Sequence, residues 1–303
     1  MIYDVAVVGA GPAGLSAALL LARAQRSVLL CDAGPRRNAA AEHMHNFVSR
    51  DGIPPAEFRE HGRQQLAPYN TVQIVDAAVR HITGERGNFQ IGLVGSHDKT
   101  ARRVLLCTGL RDEPLPISGF CELWGRSIFQ CPYCHGWEVR GQRWGYLAGS
   151  VDHLSFAVLL RSWTREVVVF TNDALELSSE QATLLRTAGV RIETRAIAAL
   201  RSRDGRLSRI ELADGSTEPC DVLFTHPPQR QVDLVVDLGL ALDRDGFVAV
   251  DPQTRETSRP GIYAAGDLTT RMQAAIAAAA MGTQAAAMLN HELILARATS
   301  DDL

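Results

Sequence analysis

A chain of 303 residues with 34 Asp plus Glu against 31 Lys plus Arg carries a formal charge of -3 and no basic tract, which argues against nucleic acid or an anionic membrane surface as a partner. The length exceeds what one ordinary core fills, so two domains are expected. No secretory leader precedes the first apolar strand, and the most Ala-rich run, Ala274 to Ala280, falls well short of the ~20 apolar residues of a spanning helix, so a cytoplasmic protein without a membrane segment is expected.

In chain order, Tyr3 to Val8 is an apolar strand running into Gly9-Ala10-Gly11-Pro12-Ala13-Gly14, and Leu15 to Ala24 continues as an Ala/Leu-rich helix. Strand, glycine turn and helix stand in the order a dinucleotide site requires. Gly9 permits the tight turn, Gly11 lets a pyrophosphate reach the backbone, and Gly14 lets helix pack on strand while the helix N-terminus faces the phosphates. The next strand, Ser27 to Cys31, ends at Asp32, eighteen residues beyond Gly14, where a carboxylate accepts hydrogen bonds from ribose hydroxyls. Ala39 to Phe58 is polar and punctuated by Gly and Pro, and reads as an extended loop in which His43, His45 and Asn46 are either ligand contacts or ordinary loop polar groups. A helix at about Pro55 to Leu66 follows, then strands near Val72 to Val79, Asn88 to Leu93 and Ala101 to Cys107, the last stopping at Thr108-Gly109.

Pro114, Pro116 and Gly119 punctuate a crossover into Cys131-Pro132-Tyr133-Cys134-His135-Gly136. Two cysteines two residues apart can close a small disulfide ring, and in a reducing cytosol such a pair is far more often catalytic than structural. Attachment of c-type haem uses the same spelling but normally follows export, and a zinc site needs a second ligand pair of suitable spacing that the sequence lacks. Two inert thiols are the remaining alternative. Cys31 and Cys107 lie in apolar strand-like runs and are expected to be small buried hydrophobes. Arg143 to Ala148, Glu166 to Phe170 and Val190 to Thr194 read as strands, Ala174 to Ala188 as a helix, and Asp204-Gly205 and Asp214-Gly215 as hairpin turns. After His226-Pro227-Pro228, strands are expected over Leu242 to Val250 and Gly261 to Ala265. Gly266-Asp267 then turns into a last helix, with Arg271, Met272 and Gln273 in or near its first turn, running to about Ala296 before a frayed tail, Thr299 to Leu303.

The opening glycine motif, the Leu105-Leu106-Cys107-Thr108-Gly109 strand end, the Cys131/Cys134 pair and Gly261-Ile262-Tyr263-Ala264-Ala265-Gly266-Asp267 resemble, in order and spacing, the low-molecular-weight thioredoxin reductase family of flavoproteins. The resemblance covers nearly the whole chain. It implies an α/β fold of two Rossmann-like (three-layer ββα) domains, the second inserted in the first: an FAD-binding domain from residues 1–113 and 229–303, and an NAD(P)-binding-like domain, 114–228, carrying the cysteine pair. It implies non-covalent FAD held by Gly9, Gly11, Pro12, Ala13, Gly14, Asp32, Asn46, Thr108, Gly109, Gly266, Asp267, Gln273 and Ala274, with Asp267 beside the ribityl chain and phosphate and Gln273 under the flavin pyrimidine. Cys134 would be the thiol beside the flavin and Cys131 the interchange thiol. His135 stands where the reductases usually carry Asp and resembles the dithiol oxidase branch; an imidazolium there would lower a thiol pKa.

The family's second glycine-rich turn is reduced here to Ala148-Gly149-Ser150-Val151-Asp152-His153, and the strand that should end in a basic cluster for the phosphate of NADPH ends in Thr171-Asn172-Asp173. Weak or absent NADPH binding is therefore expected. The expected function is FAD-dependent electron exchange with a thioredoxin-like protein or a small dithiol/disulfide substrate through Cys131 and Cys134. A dithiol oxidase that passes electrons to oxygen and a non-catalytic flavin redox sensor are the alternatives. Without NADPH, a protein electron donor such as ferredoxin would make the chain a reductase; a homodimer is a further expectation of the resemblance.

Overall fold

The computed structural model describes residues 1–34 and 37–299, which form two compact units. The first comprises Met1–Ala39, Asn46–Arg111 and Arg230–Leu303, the second Ala40–His45 and Asp112–Gln229. The short Ala40–His45 segment, expected in the first domain, belongs to the second unit. Most of the expected frayed tail, residues 300–303, lies outside the described residues. Among the described residues no helix is long and apolar enough to cross a membrane.

In the first unit, five strands run parallel in the order Val72–Val75, Val28–Cys31, Ile2–Val8, Lys99–Leu106, Ile262–Ala264. Period-two alternation sorts the side chains of the first strand. Val5 and Val7 pack with Leu15, Leu21, Ala285 and Leu289 of the helices Pro12–Arg23 and Ala275–Thr299, while Ala6 and Val8 pack with Phe89 and Ile91 on the opposite face. Each large apolar side chain so buried contributes roughly 1.5–3 kcal/mol. Lys99–Leu106 pairs on its far edge with two strands of this seven-stranded sheet. Its start pairs antiparallel with Asn88–Leu93 (Phe89↔Ala101 to Ile91↔Lys99), and its end pairs parallel with Ile262–Ala264 (Ile262↔Val104 to Ala264↔Leu106). The alanines of the last helix let it lie against the first: a Cβ on Gly282 would overlap the Ala13 carbonyl.

Three expectations are corrected in this unit. The strand expected over Val72 to Val79 is two strands, Val72–Val75 and Val79–Glu85, the second antiparallel to Asn88–Leu93; between them Asp76 is tied to Arg63 at 2.7 and 2.9 Å. Leu242 to Val250 is not a continuous strand and makes only isolated bridges, because Asp243 Oδ1 accepts from the amides of Asp245 (2.9 Å) and Phe247 (3.0 Å) and folds the segment into a turn. The last helix starts at Ala275 rather than near Arg271. Met272 and Gln273 bond back to Thr270 and Arg271, and Ala274 supplies the first carbonyl that a helical amide, Ala278 N–H, reaches.

The second unit repeats the same layering. A parallel sheet ordered Val190–Glu193, Val167–Phe170, Trp144–Leu147, Val222–Thr225, Ile128–Phe129 carries the helices Ser155–Leu160 and Ser179–Thr187. Trp144, Tyr146, Val167 and Val169 share one cluster with Ala157, Leu160 and Leu185 of those helices. Leu147, Val168 and Phe170 share another with the antiparallel strands Ile197–Arg203 and Arg206–Leu212, which meet at the Asp204-Gly205 turn (φ 52° and 74°). The helix expected from Ala174 starts at Ser179, where Ser178 and Gln181 form a reciprocal capping box.

Candidate functional site

The first unit builds a dinucleotide cradle at the C-terminal ends of its parallel strands. Gly9 turns the chain with φ 104°, and a Cβ on it would overlap the Cys107 carbonyl oxygen; a Cβ on Gly14 would overlap the carbonyl oxygen of Gly9. Both positions therefore exclude any side chain. Gly11 is the N-cap of the helix Pro12–Arg23, and the space its Cβ would take is open. With Pro12 at N1, Ala13 buried, and no acidic residue in the first turn, the free amides and positive end of this helix face whatever occupies that space. Thr108 and Gly109 (φ 65°), both half-buried, follow Cys107, which the Gly9 turn touches.

Two carboxylates flank the turn. Asp32 accepts from Ala10 N–H at 3.3 Å and pairs with Arg59 of the helix Pro55–Leu66. Asp267 follows Gly266, whose φ is 92° and whose added Cβ would stand 3.1 Å from the Ala13 Cβ. Arg37 donates through one Nη to Asp267 Oδ2 (3.0 Å) and Gln273 Oε1 (2.6 Å), and Ala274 closes the loop before the last helix. Gly9, Gly11, Pro12, Ala13, Gly14, Asp32, Thr108, Gly109, Gly266, Asp267, Gln273 and Ala274 are thus brought to one end of one sheet. Asn46 lies in the same unit on an exposed loop with φ 63°, its amide donating to Asp51 Oδ1 at 2.8 Å. His43 is exposed, and His45, in the second unit, faces Glu138 at 3.6 Å. Arg37 and Arg59 escaped the sequence reading because their partners lie 230 and 27 positions away.

The second unit carries the Cys131/Cys134 pair. Cys131 caps the one-turn helix Pro132–His135, with Pro132 at the first helical position, where its missing N–H costs nothing. Cys131 and Cys134 are joined by a disulfide with a Cα–Cα distance of 5.3 Å, and Cys134 N–H lies 3.2 Å from Cys131 Sγ. Both residues are half-buried, so exposure does not separate their roles. Tyr133 and Trp137 beside them are 64% and 66% exposed, with the Arg140 guanidinium 3.9 Å above the Trp137 ring, so neither is a core residue. The other thiols are of a different kind. Burial pushes Cys31 and Cys220 up to about 12 and Cys107 higher still, while Cys121 is exposed and free.

His135 stacks on Phe129 with ring centroids 4.3 Å apart and an interplanar angle of 12°, and both its ring nitrogens are buried. Burial lowers its pKa from the ordinary 6.5, with the Glu138 carboxylate acting in the opposite direction. The ring is therefore mostly neutral near pH 7. A histidine whose folded-state pKa is depressed lends stability above its unfolded value and loses it as pH falls through the folded value. Thermal melts at pH 7.5 and 5.5 are expected to show a larger drop for the wild type than for His135→Phe, which keeps the stack and cannot titrate. Equal drops would contradict it.

At the C-terminal ends of the second unit's strands, where a nucleotide would lie, rings crowd together. His226 stands edge-on to Phe156 at 4.6 Å, 6.1 Å from Tyr146 and 6.3 Å from His153. Ser150 Oγ accepts from Asp152 N–H (3.2 Å), closing a 3₁₀ turn, Val151–His153, in place of a glycine-rich one. Beyond Phe170, Asn172 and Asp173 adopt φ 55° and 52°, and Asn172 Oδ1 is committed to the amide of Ile197 at 2.7 Å.

The family model for pyridine nucleotide-disulphide oxidoreductases matches residues 3–282. Thioredoxin reductase aclD of Aspergillus oryzae is 34% identical over 300 residues, covering 94% of each chain. An oxidoreductase structure from Agrobacterium tumefaciens superposes with a TM-score of 0.92 at 35% identity, covering 97% of this chain and 99% of its own, and the structure of HlmI does so with 0.92 at 38%, covering 99% and 95%. The cradle fits the FAD that this family binds: open space over Gly11, a first helical turn free of acid, and a carboxylate at the ribose position. With FAD as its cofactor and a thioredoxin reductase-like fold, the chain is an enzyme of the pyridine nucleotide-disulphide oxidoreductase family.

Proposed function

We propose that this flavoprotein exchanges an electron pair between FAD and a dithiol or disulfide substrate, a small molecule or a thioredoxin-like protein, through Cys131 and Cys134, without using NADPH in the ordinary way. The disulfide on the one-turn helix carries the reading. FAD, when bound, supplies the two-electron redox chemistry. The cysteines supply the exchange. A substrate thiolate attacks one sulfur, the Cys131–Cys134 bond breaks as a mixed disulfide forms, and the other cysteine leaves as a thiolate. The second substrate thiolate then attacks the substrate sulfur of the mixed disulfide and releases the remaining cysteine as a thiolate, so that two electrons have passed from substrate to the pair while the substrate's protons go to solvent; the reductase direction runs the same steps backward. Cys134 N–H, 3.2 Å from Cys131 Sγ, favours negative charge on that sulfur, in keeping with an interchange role for Cys131.

The case against NADPH rests on the ends of the second unit's strands, where the rings of His153, Phe156 and His226 gather at a turn with a single glycine and Asp173 stands where a cation would hold the phosphate. An anaerobic titration followed by flavin absorbance tests this: dithiols are expected to bleach the flavin, and micromolar NADPH is not. Rapid bleaching by NADPH would overturn it. A dithiol oxidase, the second reading, is favoured by His135 itself, which follows Cys134 where the reductases usually carry Asp. Oxygen uptake driven by a dithiol supports that direction. Flavin reduction by a protein donor such as ferredoxin supports the other. A cytoplasmic homodimer is part of the proposal and is checked by sedimentation of the purified protein.

A further inference from the structure

Both carboxylates of the cradle are held by arginines that no dinucleotide motif specifies. We infer that Arg37 and Arg59 are cofactor-binding residues, Arg37 on the flavin side of the pyrophosphate and Arg59 on the adenosine side. The inference rests on the FAD reading of the cradle.

The order of the strands gives the two sides. A dinucleotide whose pyrophosphate lies on the glycine turn after Ile2–Val8 has its adenosine half toward Asp32, at the end of the neighbouring Val28–Cys31. Its other half would run the opposite way, past Lys99–Leu106 toward Asp267, which follows Ile262–Ala264. Each half therefore meets a carboxylate, and the ligand brings two phosphate charges of its own. Gly266 packs on Ala13 in the first turn of the phosphate-facing helix, so Asp267 begins beside the phosphates. Unopposed, that carboxylate would repel them.

Arg37 answers this charge. Its side chain is 17% exposed, it bonds Asp267 and Gln273 together, and the four-residue 3₁₀ turn that carries it buries no residue of its own. Arg59 does the same for Asp32. Arg63 holds Asp76 with two bonds of 2.7 and 2.9 Å, while Arg59 stands 3.8 Å from Asp76 and pairs with Asp32. The Arg59 Nε–H is buried and has no acceptor, a donor that the adenosine half of the ligand would satisfy. Asp32, oriented by Arg59 and Ala10 N–H, keeps lone pairs for ribose hydroxyls.

The test uses the full chain stripped of FAD and titrated with FAD and, separately, with ADP, which lacks the flavin half. Arg59→Ala is expected to weaken both ligands by about tenfold or more, the scale of a lost charge-assisted bond. Arg37→Ala is expected to weaken FAD by about tenfold or more and ADP by a clearly smaller factor. Arg37→Lys and Arg59→Lys, which keep the charge, should recover part of the loss and carry the comparison if an alanine variant fails to fold by circular dichroism. Folded alanine variants that bind FAD as the wild type does would overturn the inference, and equal loss of ADP and FAD in Arg37→Ala would overturn the assignment of sides. A wild-type chain that takes up no FAD would instead overturn the cofactor reading and the inference with it.

Discussion

Cys134→Ser is expected to lower dithiol-driven flavin reduction by roughly three orders of magnitude or more, the scale seen when a covalent nucleophile is removed, and Cys131→Ser to do the same. A hydroxyl is not ionised near neutral pH and cannot accept or release a disulfide bond, so either change leaves the exchange without one of its two sulfurs. The loss should be specific. Cys31, Cys107 and Cys220 are buried thiols whose ionisation is suppressed, and Cys121 is exposed but unpaired, so substituting Cys121 leaves the rate unchanged. FAD content, read from the visible spectrum, should stay at the wild-type level in all of these variants because the cradle is built by residues of the first unit. A serine variant that turns over dithiol at the wild-type rate would refute the proposed route.

Gly14→Ala should yield a colourless and less stable protein. The new methyl group would overlap the Gly9 carbonyl oxygen, which is backbone and cannot swing aside as a side chain can. The helix Pro12–Arg23 would have to lift from its strand, at a cost of about 1–3 kcal/mol or more, and carry its phosphate-facing end away with it. Gly11→Ala is the informative contrast. Nothing lies within 4 Å of the added Cβ, so this variant should melt with the wild type and yet bind FAD poorly, because its methyl group occupies the phosphate side. Equal melting temperatures for Gly14→Ala and wild type, or full flavin content in Gly11→Ala, would show that the cradle is not used as described.

Much of this architecture is local in origin, and what is local was readable. The glycine turn, its flanking strand and helix, the Cys131/Cys134 ring and the two Asp-Gly hairpins each depend on residues within a few positions of one another. The misses have more than one cause, a local side-chain capture, burial and a long-range contact. Leu242 to Val250 has the apolar content of a strand, but the Asp243 carboxylate captures two amides and turns the chain. The charge state of His135 depends on Phe129 and on burial of both ring nitrogens, neither of which its neighbours in sequence reveal. Arg37 is separated from Asp267 by 230 positions, and only the folded sheet brings them within 3.0 Å.

Because the strand Ile262–Ala264 is supplied by a segment that follows the whole second unit in sequence, the first unit stays incomplete until that segment has been made. Asp112–Gln229 is nearly self-contained and can reach its native shape earlier, while Val104 to Leu106 wait with an unpaired edge on the growing nascent chain. A ribosome that stalls before Ile262 would therefore release a product with an exposed, sticky β-edge. In this topology the burden on chaperones falls on the cofactor-binding unit and spares the one that holds the thiols.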